Sequence, residues 1–293
     1  MRTNFSSILR GLYNTGRIET MLNIKKIAQL SELNTLKKAY FSECTSPLDG
    51  MWHFGFVPMS EHYGFYENES LVGFCCINSE KCLLQFYLSE TAQSQAKDLF
   101  TLIVNSSSAA IGEVNGAFVS TAEPQYLSMC LDNTSTFTVN ALMYQYTDIK
   151  SVSDVDEIKL ILAGGEQLES LVTFAVEAIG APKDWLTGYY RNLIKRKELW
   201  YYSLDGEIAA TGECRYFDEY QTQYADVGMI VSPAYRGQGI ATQVLNQLVM
   251  VAKEKGMKAI CSTEIGNIGA QKTINKTGFV APNRIVQFDF TSN

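Results

Sequence analysis

One run, Val231-Ser232-Pro233-Ala234-Tyr235-Arg236-Gly237-Gln238-Gly239-Ile240-Ala241-Thr242, constrains this chain more than any other. Met229-Ile230-Val231 reads as the end of a strand, Pro233 stops it, and a turn carrying Gly237 and Gly239 opens directly into a helical pattern. Strand, glycine turn, helix is the layout of an anion site. The first N–H groups of a helix lack an intrahelical partner, the helix dipole adds partial positive charge, and glycines let a phosphate approach the backbone. Arg236 would add a full charge at the lip. The spacing is not a Walker loop, which ends in Gly-Lys-Ser/Thr, nor a dinucleotide fingerprint, because Ile240-Ala241-Thr242 follows Gly239 without a third glycine.

Downstream, Lys258 to Glu264 reads as a strand, followed by Asn267-Ile268-Gly269-Ala270-Gln271-Lys272-Thr273-Ile274-Asn275-Lys276-Thr277-Gly278-Phe279. Arg236, Gly239 and Ala241 resemble the Arg/Gln-x-x-Gly-x-Gly/Ala signature of the GNAT superfamily of N-acetyltransferases. Asn267, Ala270, Lys276, Gly278 and Phe279 resemble its second pattern, N-x-x-A-x-x-x-Y-x-K-x-G-F. The two stand in the right order, one helix and one strand apart, and the resemblance covers about residues 156 to 291.

Composition narrows the partners. A hydrophobic fraction of 46% and a charged fraction of 19% are those of a globular protein. A formal charge of -7, with the acid excess spread over both halves, speaks against a nucleic-acid or anionic-membrane surface. No apolar run approaches the roughly 20 residues of a membrane span. Seven cysteines without a CxxC pair read as free thiols, and His53 and His62 lie far from any metal-ligand spacing. A cytoplasmic protein without metal is expected. Met1 to Thr20, with Arg2, Arg10 and Arg17 and no acid before Glu19, reads as an N-terminal extension (1–21).

The order of elements repeats. Residues 22–146 read as strand (Asn23–Ile27), helix (Ser31–Phe41), a hairpin (Tyr63–Tyr66, Leu71–Ile77), strand (Leu83–Leu88), helix (Thr91–Val104), strand (Val114–Thr121), helix (Gln125–Leu131) and strand (Phe137–Tyr146). After a polar linker, 147–155, residues 156–293 read as strand (Ile158–Leu162), helices (Glu166–Ile179, Asp184–Lys197), a hairpin (Leu199–Leu204, Ile208–Phe217), strand (Tyr224–Val231), helix (Gly239–Lys255), strand (Lys258–Glu264), helix (Ile268–Thr277) and strand (Arg284–Phe290). Leu88 and Val231 correspond at an offset of 143, a tandem duplication. The expected fold class is α/β with an α+β mixed sheet: two tandem GNAT-like domains, each a mostly antiparallel sheet flanked by helices. At that offset Gln93-Ser94-Gln95-Ala96 replaces Arg236-Gly237-Gln238-Gly239, with Glu90 just before it. The N-terminal half is therefore expected to keep the fold and to lack the pyrophosphate site.

The resemblance implies acetyl-CoA as co-substrate and transfer of its acetyl group to a primary amine by direct attack. It implies cofactor contacts at Met229, Ile230, Val231, Arg236, Gly237, Gln238, Gly239, Ile240, Ala241, Thr242 and Asn267, and Asn267 also reads as a helix N-cap. Candidate bases are Asp226, Glu213 and Glu264, each of which also reads as a solvated or ion-paired strand residue. Ile274 stands where the family places a tyrosine acid, so the alternative is a non-catalytic acyl-CoA sensor or structural protein. A thiolate, with a conjugate-acid pKa of about 8.5, leaves without that help. Tyr189, Tyr190, Tyr201, Tyr202, Tyr216, Tyr220 and Tyr224 bracket the acceptor channel and suit an ammonium, beside the plainer reading as core packing. Expected partners are a small-molecule or peptide amine and a second copy in a homodimer, with no nucleic acid and no membrane.

Overall fold

A computed structural model describes residues 22–106, 108–147 and 158–291. The N-terminal extension and residues 148–155 of the expected linker lie outside them. The described residues divide into two compact units, one formed by residues up to Ala141 together with those from Asn283 on, the other by Leu142 to Pro282. Both are mixed α/β, a mostly antiparallel sheet with helices, as the sequence predicts.

In the first unit, β1 (Leu22–Lys26), β2 (Glu61–Glu67), β3 (Ser70–Ile77) and β4 (Cys82–Leu88) pair antiparallel in that order. Between β2 and β3 the two-residue turn places Asn68 at φ 46 and Glu69 at φ 68, which suits the right-handed twist of a hairpin. Helix α1 spans Asn34–Glu43 after a short 3-10 turn, α2 spans Ala96–Val104, and α3 spans Pro124–Asn133 with proline at its first turn. Parallel to β4 runs β5 (Gly116–Ser120), paired with it only at Cys82↔Gly116 and Leu83↔Ala117. Phe65, Phe86, Phe100, Leu83 and Ile103 fill the core between sheet and helices.

The chain then runs through β6 (Phe137–Tyr146) into the second unit, where β7 (Ile161–Leu162), β8 (Leu199–Leu204), β9 (Glu207–Tyr216) and β10 (Tyr224–Val231) pair antiparallel. Helices α4 (Leu168–Ile179) and α5 (Lys183–Arg196) pack around Leu171, Leu186, Tyr190 and Leu199. Helix α6 (Ile240–Glu254) buries Ile240, Val244, Leu245, Leu248, Val249 and Ala252 against β9, β10 and β11 (Lys258–Glu264). At about 1.5–3 kcal/mol for each of Val244, Leu245, Leu248 and Val249, that face holds α6 on the sheet. Gly212 of β9 lets it lie close, since a Cβ there would stand 3.0 Å from Val244 Cγ1. Helix α7 spans Ile268–Lys276.

Among the boundaries that depart from the sequence expectation, three have a tertiary reason. Ile158–Leu162 is strand only at Ile161–Leu162, because the Gln247 side chain of α6 donates to the Ile158 carbonyl and accepts from the Leu160 N–H. Helix α2 starts at Ala96 rather than Thr91, because the N–H groups of Gln93 and Ser94 donate to the carboxylate of Glu67. The last strand, β12 (Phe279–Asp289), lends its C-terminal part to the first unit, where Ile285 to Asp289 pair antiparallel with Ser120 to Gly116. The compact second unit thus ends at Pro282, whereas the expected domain runs to residue 293, and Val286 and Phe288 join the core that contains Ala117 and Val119 of β5.

Candidate functional site

The second unit's parallel pair β10–β11 is in register only at Tyr224↔Lys258, Ala225↔Ala259 and Asp226↔Ile260. On its other side β10 stays paired with β9 through Val231↔Ala210. From Val227 on, β10 thus has a ladder on one edge and no ladder to β11 on the other. Gly228, Met229, Ile230 and Val231 along this splay are half-buried, and Ser262 and Thr263 of β11 are too. A wedge between two parallel strands, walled by backbone groups, fits an extended chain bearing amides.

The splay leads to the glycine turn. A 3-10 turn at Pro233–Tyr235 is followed by Gly237 at φ 79 and Gly239 at φ 84, conformations that side chains resist. Among the described residues, no acceptor lies on the N–H groups of Gly237, Gln238, Gly239, Ile240 and Ala241, and the space where a Cβ of Gly237 or Gly239 would point is open. Five bare donors at the N-terminus of a fifteen-residue helix match the oxygens of a pyrophosphate. The guanidinium of Arg236 is placed differently from the expected lip. Its Nε donates to the Val231 carbonyl at 3.1 Å and its Nη2 to the Ala178 carbonyl at 3.0 Å, so it ties the turn to the ends of β10 and α4. Asn267 caps α7, its Oδ1 accepting from the Ala270 N–H at 3.1 Å.

The three candidate bases do not converge. Glu213 and Asp226 face the α5 side of the sheet and are buried with Arg215, which is directly opposite Asp226 in the β9–β10 register. Arg215 donates to Glu213 Oε2 at 3.0 Å, to the Tyr189 hydroxyl at 2.7 Å, and to Asp226 Oδ1. Tyr189 in turn donates to Glu213 Oε2 at 2.7 Å and stacks on Trp185 with ring centroids 4.9 Å apart. Burial disfavours the charge on Arg215, but Asp226, Tyr189 and Glu213 more than reverse this and keep it cationic. Burial raises Tyr189 well above its ordinary value against the pull of Arg215, so it stays a neutral donor. Arg215 is the member of this network that the sequence analysis missed. Its signal was present in Glu213-x-Arg215, two charges on one face of a strand. Glu264 is exposed at the end of β11, and its backbone carbonyl accepts from Asn267 N–H and the Gln271 side chain.

Of the expected aromatic lining, Tyr190 is core, and Tyr216 carries Lys255 Nζ 4.3 Å from its ring centre. Ile274 is buried in the α6 cluster. No group of metal-ligating side chains is present among the described residues, and no helix among them is long and apolar enough to cross a membrane.

Two family models match the chain, "Acetyltransferase (GNAT) domain" over residues 29–147 and "Acetyltransferase (GNAT) family" over 168–279. A solved acetyltransferase of the GNAT family from Colwellia psychrerythraea is 55% identical, with TM-score 0.86 over 91% of this chain and 99% of that one. The chain belongs to the GNAT acetyltransferases. Two distant structures share the tandem fold: a GCN5-related N-acetyltransferase from Sphaerobacter thermophilus (11% identical, TM-score 0.63, 92% and 95% covered) and a tandem GNAT protein from the clavulanic acid biosynthesis pathway (10%, 0.62, 91% and 97%). At those identities the likeness is one of fold alone. No curated protein matches the sequence.

Proposed function

We propose that the second unit binds acetyl-CoA and transfers the acetyl group to a primary amine by direct attack. The observation that carries this reading is the pairing of an open β10–β11 splay with five unpartnered N–H groups at Gly237 to Ala241. The residues fit the group. The turn N–H groups would hold the pyrophosphate, the free edge of Met229, Ile230 and Val231 the pantetheine amides, and Asn267 the same arm with its amide nitrogen. When bound, acetyl-CoA supplies an activated thioester carbonyl. Everything else falls to the chain.

The carbonyl must be held, and β10 offers its backbone N–H groups beyond Asp226 as fixed donors. An alkylammonium must lose a proton before it attacks. Glu213 and Asp226 are committed to Arg215, so Glu264, exposed across the splay, is the group that accepts this proton, directly or through one water. With Ile274 buried, the departing thiolate leaves without a tyrosine acid. The compartment expected is the cytoplasm, and the acceptor is a small-molecule or peptide amine.

Burial of Ile274 and commitment of both inward carboxylates also favour a second reading, an acyl-CoA-binding protein without turnover. Thiol release from acetyl-CoA against a panel of amines, beside Gly237→Glu, separates the two. Amine-dependent release that vanishes in the variant supports the transferase. Tight binding without release supports the sensor, and no binding rejects the assignment of the glycine turn.

A further inference from the structure

The first unit has the same two devices, and both are filled from within. Its β4–β5 pair also splays after two residues, at Leu83↔Ala117. Here, however, Gln85 to Tyr87 are buried where the corresponding Gly228 to Ile230 of the second unit are half-buried. Tyr126 of α3 lies beside Phe86 and Phe100 at centroid distances of 6.4 and 5.9 Å, and its hydroxyl donates to the Leu83 carbonyl at 3.1 Å. That carbonyl belongs to the last paired residue of β4, where the splay opens. Ahead of α2 stands the second occupant. The Glu67 carboxylate, from the end of β2, accepts the Gln93 N–H on Oε2 and the Ser94 N–H on Oε1, both at 2.8 Å.

Two consecutive backbone N–H groups aimed at one anion form the kind of nest that binds phosphate. They lie at the chain positions corresponding to Arg236 and Gly237, in the stretch between strand end and helix start. Glu67 is only 5% exposed, so this is a built contact rather than a surface one. Burial opposes its ionisation, yet the N–H groups of Gln93 and Ser94 and the Ser94 hydroxyl prevail and hold the carboxyl below its ordinary range. The tight hairpin at Asn68-Glu69 fixes where β2 ends, and so where that carboxylate points.

We propose that the first unit is closed to acyl-CoA by its own side chains, the Glu67 carboxylate in the place of a phosphate and the Tyr126 hydroxyl on the strand edge, so that each chain holds a single acyl-CoA. The count of one rests on the reading of the second unit; the closure of the first does not. Where the second unit has glycines and a bare turn, this half thus carries an internal negative charge, and the nest serves as a clasp between β2 and α2.

The test has two arms on the full chain. Calorimetric titration of the wild type with acetyl-CoA should give one site, and two sites would overturn the proposal. In the second arm, Glu67→Ala should melt below the wild type, and inorganic phosphate, at ionic strength matched with sodium chloride, should restore much of the loss while shifting the wild type far less. Should Glu67→Ala fail to fold, Glu67→Gln, which keeps the shape and drops the charge, should show the same selective response to phosphate. Equal phosphate shifts in variant and wild type would overturn the role of Glu67. Binding of no acetyl-CoA would reject the second unit's assignment and leave the phosphate arm to decide on the first.

Discussion

Arg215 is the residue on which the polar part of the second unit's core depends, because one guanidinium serves Glu213, Asp226 and Tyr189 in a buried setting. Removing one partner of a buried ion pair costs about 3–5 kcal/mol. Arg215→Met should lower the denaturant midpoint accordingly, and a loss below about 1 kcal/mol would show that the network is not structural. Glu264→Gln should leave stability intact and reduce kcat/KM by roughly 10²–10⁴, the usual contribution of a general base. If Asp226→Asn alone removed the acid limb of the pH–rate profile, the base would be reassigned. In the first unit two groups give opposite pH dependence. Burial pushes His62 down to about 4, against the Val57 carbonyl 2.8 Å from its Nε2 and with help from Lys37. The folded chain keeps it neutral, so its contribution is full above about 6.5 and is lost as pH falls toward 4. Burial pushes Glu123 up to about 7 against the Tyr40 hydroxyl and Ser120 N–H bonds, so its contribution is present below about 4.5 and lost as pH rises through 7. Melting temperature followed against pH should therefore fall less steeply from pH 4.5 to 7 in Glu123→Gln. The sequence offers these residue types but hides their roles, since which carboxylate meets Arg215 is fixed by strand register and which acid is buried by packing.

Elements were legible where local chemistry is decisive. The strand Tyr224–Val231, the strand Lys258–Glu264 and the hairpin strand Leu199–Leu204 carry apolar runs bounded by turn residues, and they fold over the expected spans. The stripe from Ile240 to Ala252 announces α6, and the glycines before it announce the bare N–H groups. Illegible were the places where a distant side chain competes for the backbone. Residues 158–160 look like strand, but Gln247 takes their hydrogen bonds; residues 91–95 look like helix, but Glu67 takes theirs. Gln247→Ala should cost about 1 kcal/mol, the net worth of a hydrogen bond. It should also speed amide exchange at Leu160 without altering exchange in α5. Unchanged exchange there would mean that the segment is held by something other than Gln247.

At the scale of the whole molecule, β12 carries the sharpest consequence. Its residues from Asn283 on belong to the first unit, pairing with β5 and burying Val286 and Phe288. Burial of those two side chains is worth about 1.5–3 kcal/mol each. A chain ending at Pro282 should therefore lose the first unit's cooperative unfolding transition in calorimetry, although the residues removed are the last in sequence. Survival of that transition would refute the placement of β12. The sequence by itself determined that this is a duplicated GNAT chain with a glycine turn before a helix in its second half, because periodicity, turn glycines and helix starts are written within a few neighbouring residues. Only the tertiary structure decided that β12 completes the first unit, that Arg215 claims two of the three candidate bases, and that Glu67 fills the first half's cradle. Each of these joins residues far apart in the chain, and strand register and burial, which no local pattern encodes, choose the partners.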